Sequence, residues 1–145
     1  MPTRSARTDW TGGLQDGSGE VALVSSGVGK FDVSFPRRAA DDAVGTSPEE
    51  LLAASHSSCY AMALSAEIAN AGGTPGTETV TADVTLGPDP AGGFRISKIK
   101  LTVRATASGL DSDAFVAAAT AAKNGCPISK ALAGVADIEL DAALN

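Results

Sequence analysis

A chain of 145 residues with 43% hydrophobic content is long enough to bury one real core and is read as a single domain, residues 1–145. Its net charge of -6 leaves no basic face for phosphates, which argues against a nucleic-acid binder and against docking on an anionic membrane. Arg4 and Arg7 have no apolar run behind them and no later segment is long and apolar enough to cross a bilayer, so the expected compartment is the cytoplasm. In that reducing setting Cys59 and Cys126 are read as thiols, inert or working, rather than as a permanent structural disulfide.

A first short strand is expected to end near Trp10, with a turn at Asp16, Gly17, Ser18 and Gly19. Val21 and Leu23, then Phe31, Val33 and Phe35, alternate with polar residues on either side of Ser25, Ser26, Gly27 and Gly29, which is hairpin grammar. Gly29 and Lys30 make no phosphate loop, because the spaced upstream glycine and the following Ser or Thr are missing. Residues 37–45 read as a polar loop.

Next comes a helix. Ser47 can cap it, Pro48 fits its first position, and Glu50 falls where a capping-box carboxylate reaches back. It is expected to run to about Asn70, ended by Gly72 and Gly73. Leu52, Cys59, Met62, Ala63 and Ala66 recur at helical spacing, which predicts a core stripe containing Cys59.

Val80, Ala82, Val84 and Leu86 alternate through a strand over 77–86, and 94–107 predicts a longer one across the turn at 88–93. The apolar parity of that strand changes at Ser97 and Lys98, which predicts a bulge. Asp111 then caps a second helix carrying Phe115, Ala118, Ala119 and Ala122 and stopped by Gly125. Pro127 opens a third, short helix through Leu132, and Ile138 with Leu140 makes a closing strand. Strands cluster and helices cluster, so the predicted class is α+β: antiparallel sheets with a long central helix and two further helices.

The two thiols sit in different surroundings. Cys59 is about three turns inside its helix, where burial raises a thiol pKa and the helix N-terminal field does not reach. Cys126 precedes Pro127, at a cap position whose free backbone amides favour an anion. Local physics alone makes Cys126 the readier thiolate.

The run from Thr46 to Cys59, TSPEELLAASHSSC, together with NGCPIS from Asn124 to Ser129, resembles the OsmC/Ohr family (osmotically inducible protein C and organic hydroperoxide resistance proteins), nearer its OsmC branch. The similarity extends from Asp9, Trp10 and Gly12 to Leu140. It implies a thiol peroxidase in which Cys59 attacks an organic hydroperoxide and Cys126 resolves the product as a Cys59–Cys126 disulfide, re-reduced by an external thiol or dithiol, with no cofactor. The family's activating pair falls on Glu49 and on Arg38, the arginine three residues after Phe35, with the adjacent Arg37 as the alternative. The family usually has Asn where Ser47 stands, and both cap helices.

The residue types suit that task. A guanidinium beside a thiol favours the thiolate and can hydrogen-bond an oxygen that gains negative charge, while a carboxylate aims the guanidinium fork. Glu49 and Cys59, ten residues apart on one straight helix, are on the order of 15 Å apart along its axis. Either the helix bends sharply or a second subunit completes the site; with no kink residue between Glu50 and Met62 the expectation is a homodimer, intertwined as the resemblance implies, with Arg38 and Glu49 of one subunit meeting Cys59 and Cys126 of the other.

Each candidate has a plainer reading. Arg37 and Arg38 are a solvated pair, Glu49 is a first-turn acid favoured by the helix dipole, and Tyr60 and Met62 are packing. His56, one turn from Cys59, is a base or metal ligand on the sharper reading and a packed or surface residue on the plainer one. Two other functions remain in play. One is a zinc site built from His56, Cys59 and Cys126, although the paired spacing of structural zinc sites is absent. The other is a non-enzymatic binder of small apolar ligands. A Cys-x-x-Cys pair, which thioredoxin-like exchange would need, is also missing.

Overall fold

A computed structural model describes residues 1–42 and 44–145, and these form two compact units, Met1–Leu51 and Leu52–Asn145. The first unit is built on a three-stranded antiparallel sheet of β1 (Arg7–Thr11), β2 (Ser18–Ala22) and β3 (Lys30–Val33), in that order. The β1–β2 turn closes with Gly17 N–H donating to the Gly13 carbonyl. A Cβ on Gly17 would run into the carbonyl oxygens of Gly13 and Thr11, so glycine is needed for this close approach.

β3 stops at Val33, and Phe35, expected to prolong it, opens the single-turn helix α1 (Phe35–Arg38). Ser34 is extended and its side chain accepts a hydrogen bond from Arg37 N–H, with Pro36 in the first turn. A cap followed by Pro is a helix-start signal, which the alternation of Phe31, Val33 and Phe35 masked. The expected polar loop over 37–45 therefore begins with helical residues; Ala43 within it lies outside the described residues.

The long helix α2 spans Pro48–Asn70, as expected. Ser47 Oγ accepts from Glu50 N–H at 3.2 Å, but the Glu50 carboxylate takes the Thr46 hydroxyl at 2.6 Å in place of the anticipated capping box. At the other end Gly72 adopts φ +87°, and the N–H groups of Gly73 and Gly72 close onto the carbonyls of Ile68 and Ala69. That is the glycine-terminated ending anticipated from Gly72 and Gly73.

The second unit carries β4 (Thr74–Pro88), β5 (Phe94–Ser108) and β6 (Ile138–Leu144) in sheet order β4-β5-β6, with helices α3 (Ser112–Gly125) and α4 (Pro127–Ala131) between β5 and β6. β4 and β5 are antiparallel, and their register skips Ser97, opposite Thr85 and Leu86, where the parity change placed a bulge. β6 pairs parallel to β5. The sheet is thus mixed rather than antiparallel throughout, because the crossover through two helices returns the chain to the end from which β5 started. Asp111 caps α3 through Oδ1, which accepts from Ala114 N–H at 2.8 Å. Counting α1, three helices accompany α2 where two were expected.

The core of this unit joins Tyr60, Leu64 and Ile68 of α2 to Leu101, Val103 and Ala105 of β5 and to Phe115, Ala118, Ala119 and Ala122 of α3, with Cys126. The small alanines of α3 leave room for the Tyr60 ring, whose hydroxyl donates to the Ala119 carbonyl at 2.9 Å. The buried row of α2 runs through His56, Tyr60, Leu64 and Ile68. It does not pass through Met62, which is 74% exposed, or through Ala66, also exposed. Cys59 and Ala63 pack at its flank. Removing a fully buried side chain here, as in Leu101→Ala, is expected to cost roughly 2 to 5 kcal/mol, read as a lower urea midpoint. Among the described residues no helix is long and apolar enough to cross a membrane.

Candidate active site

Two constellations hold the residues singled out by the sequence. In the first unit Arg38 ends α1 and Glu49 stands in the first turn of α2. Arg38 Nε lies 3.0 and 3.2 Å from the two carboxylate oxygens, and Nη2 lies 2.6 Å from Oε1. This is a fork-to-carboxylate pair in which geometry as well as charge fixes the guanidinium. The Glu49 side chain is only 10% exposed and that of Arg38 33%, so neither is the freely solvated surface group of the plainer reading. Arg37, the alternative, instead donates its backbone N–H to Ser34. Arg38 also borders a groove of about 480 Å³ walled by Trp10, Leu14, Val21, Phe35 and Leu51, a feature the sequence reading missed.

In the second unit Cys59 of α2 and Cys126, between α3 and α4, bring their sulfurs to 3.2 Å. A disulfide bond is about 2.05 Å long, so these atoms have only to close by about an ångström. Cys126 is fully buried and Cys59 half-buried. Burial is the largest influence on Cys59 and raises its thiol pKa; the Ile128 N–H opposes it and the neighbouring sulfur adds to it. Burial also pushes against ionisation of Cys126, but there it is outweighed. Hydrogen bonds from the Ser129 N–H, from Cys59, from the Ser129 hydroxyl and from the Ile128 N–H hold this thiol below its ordinary value. Within one unit these influences favour ionisation of Cys126 over that of Cys59, in line with the local argument that Cys126 is the readier thiolate.

His56 is fully buried, and its Nε2 lies 2.7 Å from Ser129 Oγ. Its Nδ1 is buried without a partner, and burial lowers its pKa, which favours the neutral ring. Among the described residues no three His, Cys, Asp or Glu side chains are grouped to hold a metal ion. His56, Cys59 and Cys126 therefore form no zinc-ligand cluster. Ser129 went unnoticed as a site residue; the signal available was its place three residues after Cys126, where an N-terminal amide of α4 faces the cap.

The model of the family described as OsmC-like protein matches residues 40–141. Peroxiredoxin OsmC of Escherichia coli is 37% identical over 138 residues, covering 95% of this chain and 94% of its own. Organic hydroperoxide resistance protein OhrB of Bacillus subtilis is 32% identical over 116 residues, 79% of this chain and 82% of its own. The crystal structure of an organic hydroperoxide resistance protein from Elizabethkingia anophelis aligns with a TM-score of 0.77 at 29% identity, over 100% of this chain and 98% of that one. The family match contains Glu49, Cys59 and Cys126 and begins just beyond Arg38, and the chain belongs to the OsmC/Ohr family.

Proposed function

We propose that this protein reduces organic hydroperoxides to alcohols, with Cys59 as the attacking thiol, Cys126 as the resolving thiol, and Arg38 held by Glu49 as the activating pair. A cysteine-based peroxidase follows from the family; the residue roles, the substrate and the reductant are the proposal. The observation that carries it is the 3.2 Å approach of two sulfurs that are 67 residues apart in sequence.

The Cys59 thiolate attacks the distal peroxide oxygen, the O–O bond breaks, and the alkoxide leaves and takes up a proton as ROH. Cys59 is then a sulfenic acid. Attack by the Cys126 thiolate on that sulfur forms the S–S bond and expels hydroxide, which is protonated to water. An external thiol or dithiol reduces the disulfide by exchange and is itself oxidised. No cofactor enters this sequence.

The first step needs Cys59 ionised, against burial and the neighbouring sulfur. A guanidinium can reverse that balance and stabilise the departing alkoxide. Glu49 and Cys59, on one continuous helix, are on the order of 15 Å apart along its axis. We therefore assign Arg38 and Glu49 of one subunit to Cys59 of the partner in an intertwined homodimer, with residues 1–145 acting as one domain in a cytoplasmic enzyme. The apolar groove bordered by Arg38 receives the organic group.

Thiol counting tests this reading. One equivalent of an alkyl hydroperoxide is expected to remove two thiols per chain and join Cys59 to Cys126. The same groove would also suit a binder of small apolar ligands, and such a protein would keep both thiols.

A further inference from the structure

The register of the first sheet sorts its side chains by face. Asp9, Glu20 and Asp32 lie opposite one another across the three strands, and so do Thr8 and Val21, and Trp10, Gly19 and Val33. One face is therefore acidic, and the other is the apolar floor of the groove beside Arg38. That floor holds the chain's only tryptophan. The aromatic side chains of the buried core, Tyr60 and Phe115, lie in the other unit, whereas Trp10 is 43% exposed. In a chain with 4% aromatic residues, packing does not account for the largest side chain being left on an open wall.

The indole is nonetheless held in place. Its Nε1–H donates to the Gly12 carbonyl at 2.9 Å, which satisfies the ring's one polar atom without using the groove. Its register partner Gly19 is bare: a Cβ there would stand 2.9 Å from Trp10 Cε3 and 2.8 Å from the Asp9 carbonyl oxygen. The ring therefore packs against glycine backbone, tethered at its edge, and has no hydrogen-bonding group left for a ligand. What it offers is an aromatic face. Phe35 lines the same groove.

Arg38, also in that lining, bonds Glu49 through Nε and Nη2, and among the described residues its Nη1 has no hydrogen bond. The groove thus pairs a donor for an oxygen that gains negative charge with a wall for a flat apolar body. A linear alkyl chain must freeze its own rotors to cover such a wall. A phenyl ring arrives rigid and adds offset or edge-to-face contact with the indole.

We propose that Trp10 is a specificity-determining residue: its tethered indole selects hydroperoxides whose organic group carries an aromatic ring over linear alkyl hydroperoxides of similar hydrophobicity. The inference rests on the peroxidase reading for the O–O–H end of the ligand and deepens it by naming the class of organic group. Recognition of the ring is the same before and during the chemical step, so its effect falls on KM rather than on kcat.

The comparison uses 3-phenylpropyl and hexyl hydroperoxide, which share a primary O–O–H end and have similar hydrophobicity. In the unaltered protein the ratio of their kcat/KM values is expected to favour the aryl substrate about three- to tenfold, the scale of one aromatic contact. Trp10→Leu keeps an apolar wall and removes the face, and should bring that ratio close to unity through KM. Trp10→Phe keeps a face without the Nε1 tether, and the ratio should fall only part of the way. A ratio that is the same in the unaltered protein and in Trp10→Leu overturns the proposal, because the groove then measures hydrophobicity alone.

Binding is read separately, without turnover. As the only tryptophan, Trp10 reports its own surroundings by fluorescence in the unaltered protein. Titration with 3-phenylpropanol, the alcohol product, is expected to change its emission saturably, at concentrations about three- to tenfold lower than hexanol needs. Emission that ignores the aryl alcohol overturns the aryl site, and if it follows protein concentration instead, a second copy of the chain covers the indole. Emission that answers the aryl alcohol in a protein that consumes no peroxide keeps the site and removes the proposed function. Peroxide consumption with no aryl preference does the reverse.

Discussion

Cys59→Ser is expected to abolish hydroperoxide turnover, by at least about a thousandfold, the scale of removing a covalent nucleophile. Cys126→Ser is expected to behave differently: it should consume about one equivalent of peroxide and then stall, with Cys59 advancing to sulfinic acid because nothing resolves it. The contrast matters because the two thiols are placed so that the passive electrostatics favour the other assignment. Within its unit, Cys126 has the backbone and hydroxyl donors, while Cys59 is raised by burial. A thiol with a depressed pKa in a closed pocket is well suited to resolve and poorly placed to meet substrate, since Cys126 is fully buried whereas Cys59 retains some exposure. Access thus separates the roles where ionisation alone would reverse them. The measurement is peroxide consumed per chain together with the mass of each variant afterwards. A Cys126→Ser protein that never reacts, beside a Cys59→Ser protein that takes one equivalent, would hand the attacking role to Cys126.

What the amino-acid order disclosed depended on the range of the interaction behind each feature. The caps at Ser47 and Asp111 and the bulge at Ser97 are settled by neighbours within a few residues, and each stands where it was expected. The turn of α1 was equally local, yet two signals competed for Phe35, and the cap at Ser34 with Pro36 prevailed over alternation. The direction of β6 is decided by the path of the intervening crossover, which no residue pattern inside β6 records. The buried row of α2 was displaced because its lining is almost all small. Tyr60, read as packing, and His56, read as packed or surface on its plainer reading, were both left off the predicted stripe, and their partners Ala119 and Ser129 lie 59 and 73 residues away. The roles of Cys59, Arg38 and Glu49 came from family resemblance, whereas the pairing of Arg38 with Glu49 has its own physical logic in the fork geometry.

Arg38→Met should leave Cys59 intact but poorly ionised, and is expected to slow its reaction with an alkyl hydroperoxide by at least about a hundredfold, as for loss of a preorganised donor at a developing oxyanion. Glu49→Gln should cost less, because it weakens the aim of the guanidinium without removing its charge. The origin of the arginine can be read from mixtures. If Arg38 serves the partner's Cys59, a heterodimer of one Arg38→Met chain and one Cys59→Ser chain contains one complete site, because the first chain keeps the thiol and the second keeps the arginine. Random exchange of equal amounts makes half the dimers mixed, each with one working site of two, so about a quarter of the unaltered activity should return. An arginine acting within its own chain predicts no recovery, since neither chain then holds both groups. Recovery therefore measures the connection directly: it is expected if a second copy brings the guanidinium to the sulfur, and absent if Arg38 serves its own chain.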